Sequence, residues 1–260
     1  MNHISFFSIL KSEYFKIRYN IGVWLILFFP LFVTIGVDMY ILDNASDAIL
    51  NTDITFNYNP WQFILGRYIF QLYSVLYPII VAIFCYSLCD MEYKNNGFKL
   101  LFTLPVNKRI IYFSKLLVLL EIMLFSICIA YLLFLLSGYL MSYILPGYGF
   151  LDYDFRQTVF IYFSTLYIGM IAICMIQYAL SLLFKSFVIP VGLACMGTMF
   201  CMIAQRWQYI DFVPYNIGWK SLHDFYAEST VFLSNYEYTN MIYILIFSLI
   251  CYYLFLRVKC

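Results

Sequence analysis

Charge is scarce in this sequence, and the scarcity decides its class. Asp, Glu, Lys and Arg make up 11% of the 260 residues, less than half the share of about 25% usual in soluble domains. Histidine is scarcer still: His3 and His223 are the two present, and no H-E-x-x-H pairs them for a metal. The pattern G-x-x-x-x-G-K-[ST] is absent, which excludes nucleotide binding by a P-loop. Gly147 and Gly149 form only the turn-like "GYG". No nucleophile, base and metal set is clustered anywhere, so the sequence carries no catalytic residues and implies no cofactor. Its eight cysteines read as small apolar side chains, with Cys85 and Cys89 the local pair at helical spacing.

What is abundant is hydrocarbon. Hydrophobic residues make up 64% of the chain and aromatic ones 22%. A bilayer crossing needs about 20 mostly apolar residues, and six windows meet it: 21–42, 67–89, 116–141, 158–184, 187–204 and 240–256. The fourth and fifth are divided only by Lys185-Ser186, a tight hairpin, with Pro190 tolerated in the first turns that follow. The expected fold is therefore an all-α integral membrane protein of six transmembrane helices in one domain, 1–260, with no detachable soluble part.

The few charges sort by side. In a six-span arrangement, Lys11, Lys16, Arg18, Lys94, Lys99, Lys108, Arg109, Lys115, Lys185, Arg257 and Lys259 fall on one face. Only Arg67, Arg156, Arg206 and Lys220 fall on the other, where most of the acids gather. Retention of positive residues inside places both termini in the cytoplasm of a multi-pass cell-membrane protein. The basic residues of the N-terminal stretch precede an apolar run too long for a signal peptide.

Two further features stand out. Before the first span, Phe7, Leu10, Tyr14 and Ile17 recur at helical spacing with Lys11 and Arg18 on the flank, as in a helix lying in the inner interface over 1–20. Glu121 is the one acid in a span interior, since Asp38 falls near the end of the first window. An intramembrane carboxylate marks a candidate polar or ion site, although its distance from Lys115 is short enough for a structural pairing with that lysine.

The stretch 90–115, "DMEYKNNGFKLLFTLPVNKRIIYFSK", is polar where its surroundings are not. Asn95-Asn96-Gly97 suits a turn. Phe98, Leu101 and Phe102 form the apolar face of a short helix, and Thr103-Leu104-Pro105 ends it and starts the next. Lys108 and Arg109 then sit in a first helical turn, where the dipole disfavours cations by about 0.3–1 kcal/mol. Anionic headgroups or an acidic partner surface offset this.

Glu92, Asn96-Gly97, Leu100-Leu101, Thr103 to Pro105, Lys108-Arg109 and Lys115 together resemble the segment after the second span of ABC-2-type transporter permeases, nearest to the lantibiotic- and bacitracin-resistance branch. The element Glu13-x-x-Lys16 and the hairpin "LLFKSF" (Leu182 to Phe187) are similar to further family elements. Phe98 stands where the family often has a small hydroxyl residue, and Lys108 where Arg is common.

The resemblance implies a permease subunit with a coupling helix between spans two and three, carried by Glu92, Gly97, Phe98, Lys99, Leu101, Thr103, Pro105, Lys108 and Arg109. Its partners would be two copies of a separate ABC ATPase, a second permease copy or paralogue, and membrane lipid, with no nucleic acid. The cargo would be an amphipathic peptide, antibiotic or lipid-like compound, exported for immunity or resistance. It also suggests short re-entrant helices in the extracellular segment 205–239, too long for a structureless loop. The competing reading is a stand-alone ion-coupled secondary transporter using Glu121.

Overall fold

The computed structural model describes residues 6–49, 59–94, 108–227 and 235–257, and all regular structure among them is helical. Eight α-helices follow one another: α1 (Phe6–Ile17), α2 (Ile21–Ile49), α3 (Arg67–Lys94), α4 (Lys108–Ile144), α5 (Arg156–Leu183), α6 (Val188–Ile203), α7 (Ile217–Tyr226) and α8 (Asn235–Arg257). A π-helical turn, Trp61–Gly66, leads into α3. Helices are the expected solution in hydrocarbon, because each satisfies its own backbone N–H and C=O groups.

Five of these helices, α2, α3, α4, α5 and α8, are long and apolar enough to cross a membrane. The remaining expected window, 187–204, holds a shorter apolar helix. Helix α6 has 16 residues, about 24 Å at 1.5 Å per residue, against a hydrocarbon core of about 30 Å. It stops where Gln205 and Arg206 end the apolar run. The expected hairpin is present, with α5 ending at Leu183 and α6 starting at Val188.

Helices α3 and α5 form the centre. α3 packs on α2, α5, α6 and α7, and α5 packs on α3, α7 and α8. Between them lies an aromatic cluster: the Phe70 ring stacks on Tyr162 at 3.7 Å and on Phe134 at 4.9 Å, and meets Phe225 edge-on at 4.6 Å. In lipid such packing matters more than burial from water, since the surrounding tails are as apolar as the core. Trp61 also joins this interior, 3% exposed, and its indole N–H donates to the Phe150 carbonyl at 2.8 Å.

The segment between α6 and α8 is not an open loop. Two 3₁₀ turns (Ile210–Phe212 and Pro214–Asn216) precede α7. Tyr215 accepts a hydrogen bond from Gln177 in the second half of α5, while Phe225 returns to Phe155 just before α5 begins. The segment thus folds back into the bundle along α5. Irregular backbone there finds side-chain partners: the Tyr236 hydroxyl lies 3.1 Å from the Val213 carbonyl and 3.2 Å from the Pro214 carbonyl, to which it can donate.

Close approach requires glycine. A Cβ on Gly218 would stand 2.4 Å from the Ser74 Cα, and one on Gly169 would stand 2.1 Å from the Ile217 side chain. Gly218→Ala therefore forces α7 off α3, and overpacking of this kind costs about 1–3 kcal/mol. Thermal unfolding in detergent should show that loss, whereas Gly192→Ala, with nothing within 4 Å of the added carbon, should unfold as the parent does.

Candidate functional site

Three helices bring one charged face each to a single point. On α1, Ile9, Glu13 and Ile17 repeat at four-residue spacing and are buried. On α3, Cys85, Cys89 and Glu92 share a face by the same periodicity and are buried. On α4, Lys115 lies on the stripe of Val118 and Ile122. α1 packs along α4, and the ends of α3 and α4 flank residues 95–107.

The four charges alternate. Lys115 Nζ donates to Glu13 Oε2 and to Glu92 Oε1, both at 2.7 Å. Lys16 Nζ donates to Glu13 Oε1 at 2.9 Å and to Glu92 Oε1 at 3.0 Å. Two carboxylates and two ammoniums make the cluster neutral, and Glu13 and Glu92 are only 3% and 4% exposed. A cavity of about 20 Å³ beside it, lined by Glu13, Ile17, Cys89, Glu92, Lys115 and Tyr178, is large enough for one water.

Its surroundings are tied down as well. Asn20 Oδ1 accepts from the Gly22 and Val23 amides at the start of α2, and its Nδ2 donates to the Ser87 carbonyl on α3 at 3.1 Å. The Tyr93 hydroxyl donates to the Leu182 carbonyl at 2.8 Å, and the Tyr86 hydroxyl to the Lys185 carbonyl at 3.0 Å, joining the end of α3 to the α5–α6 turn. Tyr112 on α4 donates to the Ser248 carbonyl on α8 at 3.0 Å. A displacement at either flank of residues 95–107 therefore meets α1, α5 and α8.

Of the residues singled out in the sequence, Glu13, Lys16, Glu92 and Lys115 converge here. Lys108 and Arg109 occupy the first turn of α4. Gly97, Phe98, Lys99, Leu101, Thr103 and Pro105 lie outside the described residues. One expectation is corrected. Glu121 does not pair with Lys115, which is taken by two other carboxylates; its Oε2 is buried with no hydrogen-bond partner among the described residues. The face of α1 turned to the bundle is Ile9–Glu13–Ile17, with Phe7 and Phe15 turned outward at 77% and 66% exposure. The helix is apolar on more than one side, and the Lys115 partnership selects the side with Glu13. The sequence also gave no hint that Cys85 would face Cys174, with sulfurs 3.5 Å apart, rather than Cys89.

Removing one partner from such a cluster leaves a buried charge uncompensated, at about 3–5 kcal/mol. Lys115→Met should therefore unfold at clearly lower temperature. Glu92→Gln added to it should recover part of the loss, giving a non-additivity of about 0.5–3 kcal/mol. Additive single and double losses would show that Glu92 and Lys115 do not interact. Lys16, a third exposed, should matter less, because solvent weakens its pairs.

No curated protein and no solved structure matches this chain. Residues 9–201, from α1 to the end of α6, match the family described as ABC-2 family transporter protein. Members of that family are multi-pass membrane permeases with no ATPase activity of their own, and they generally work with an ABC ATPase. The match takes in the whole charged cluster and covers most of the chain, which therefore belongs to the ABC-2 transporter family.

Proposed function

We propose that this chain is the membrane subunit of an ABC exporter, driven by a separate ATPase that docks on the segment 90–115. The observation that carries the reading is the buried cluster of Glu13, Lys16, Glu92 and Lys115, which joins both flanks of that segment to α1. A docking element needs a stiff base if force on it is to reach the spans, and an alternating charge network between three helices supplies one. Lys99, Lys108 and Arg109 contribute the basic docking surface, and Phe98 and Leu101 its apolar contact.

The finer reading has both termini in the cytoplasm, by the excess of basic residues on that side. That topology needs α6 to count as a short fifth crossing, completed by the segment that folds back at Tyr215 and climbs again as α7, a re-entrant pair before the last span. The N-terminal helix α1 lies at the inner interface, with Phe7 and Phe15 toward lipid. Two permease chains, identical or paralogous, work with two ATPase subunits. The cargo is an amphipathic peptide or lipid-like compound, in keeping with the likeness to lantibiotic- and bacitracin-resistance permeases.

The tagged protein, expressed with its ATPase and purified in mild detergent, should carry vanadate-sensitive ATP hydrolysis. Lys99→Glu with Arg109→Glu should lower the co-purifying activity at least tenfold without changing the permease's own elution. Normal co-purification in that variant would count against docking through this segment. The ion-coupled reading keeps one observation, the unpartnered Glu121 Oε2. It requires transport to change its pH dependence in Glu121→Gln and to survive ATP depletion, and the exporter reading requires neither.

A further inference from the structure

A groove runs between α2 and α3, open to the side of the bundle, with a volume of about 530 Å³. Its walls include Phe32, Gly36 and Tyr40 from α2, and Tyr68, Gln71 and Leu76 from α3. The volume lies within the range of about 300–1,000 Å³ common for sites that bind small molecules. Phe29 packs on Tyr73 and Tyr77 at one end, and the Tyr40 and Tyr68 rings meet at 5.2 Å at the other.

Three features identify the occupant. The first is length. From Phe29 to Tyr40 the α2 wall rises about 16 Å, close to half of the hydrocarbon core of about 30 Å, so the groove spans one leaflet. The second is polarity. The floor is apolar, while Gln71 and the two tyrosines stand near the Arg67 end of α3, where a membrane helix meets the interface. Gln71 is exposed and makes no hydrogen bond among the described residues, so its amide is available to an ester or amide carbonyl. The third is Gly36, whose missing side chain leaves open space with nothing within 4 Å.

We propose that this groove binds the acyl chain of a phospholipid from the leaflet at the Tyr40–Tyr68 end, with the chain along Gly36 toward Phe32 and Leu76 and its ester linkage at Gln71. That leaflet is the outer one under the topology of the proposed function, on which this detail rests. The binding itself follows from the groove alone.

The test uses the full chain in nanodiscs containing phosphatidylcholine with a photoactivatable diazirine, placed either at the acyl terminus or beside the ester. Labelled peptides are read by mass spectrometry against exposed Leu245 and Leu249 on α8. The terminal probe should label the Phe32 and Leu76 region, and the ester-proximal probe the Tyr40, Tyr68 and Gln71 region, several-fold above α8. Gly36→Phe fills open space, so it should keep the fold and α8 labelling while bringing groove labelling down to the α8 level; Gly36→Ala should have a smaller effect. Groove labelling no stronger than that of α8, or unchanged by Gly36→Phe, overturns the proposal. So does cross-linking of Gly36→Cys between two copies, which would make the groove an interface. Labelling by a probe confined to the cytoplasmic leaflet would keep a lipid in the groove and overturn the topology instead.

Discussion

Four charges that cannot be left alone govern the cytoplasm-facing end proposed for this bundle. Glu13 and Glu92 are nearly inaccessible, and Lys115 bridges them at 2.7 Å while Lys16 closes the set. Taking an ion out of water costs several kcal/mol, so each helix that contributes a charge is held to the others by what separation would expose. The N-terminal helix packs on α4 in the register that meets this demand, with two of its phenylalanines left outside. The ends of α3 and α4 are fixed relative to each other, and the intervening residues 95–107 spring from a rigid base.

Elsewhere the bilayer sets the terms. Long helices satisfy their own backbones, and α3 and α5 form the core on which the others pack. Where the chain departs from long helices, after α6, the Tyr236 hydroxyl serves the Val213 and Pro214 carbonyls, and close glycine contacts let α7 pack on α3 and α5. The two halves of the molecule thus use different means: charge pairing at one end, and aromatic stacking with small residues at the other. Near the charged end, the carbonyl contacts of Tyr93 and Tyr112 also tie α3 to α5 and α4 to α8.

Much of this was legible in the residues. The window 158–184 corresponds to α5 at Arg156–Leu183 because charge and turn residues bound an unbroken apolar run. The window 187–204 corresponds in the same way to α6 at Val188–Ile203, bounded by the Lys185-Ser186 turn and by Gln205 and Arg206. Glu13 and Lys16 are an i,i+3 pair and stand out locally. Their bonds to Glu92 and Lys115 join residues 76 and 102 positions apart, and no local pattern encodes such a pairing. Which side of α1 would meet the bundle was not legible either: Ile9, Glu13 and Ile17 turn inward because Lys115, far along the chain, waits there for Glu13. Glu121 was read as Lys115's neighbour because it is near along the chain, and the lysine is satisfied from other helices.

If the ATPase docks on the segment 90–115 as proposed, motion there reaches α1 through this cluster. Hydrogen exchange of residues 6–17, followed by mass spectrometry in the permease–ATPase complex with and without ATP and vanadate, tests it most directly. Nucleotide trapping should change the protection of α1 in the parent protein, and Glu92→Gln with Lys115→Met should abolish the change while the ATPase stays bound. An α1 whose exchange is indifferent to nucleotide in the parent, or responds equally in the variant, would contradict it.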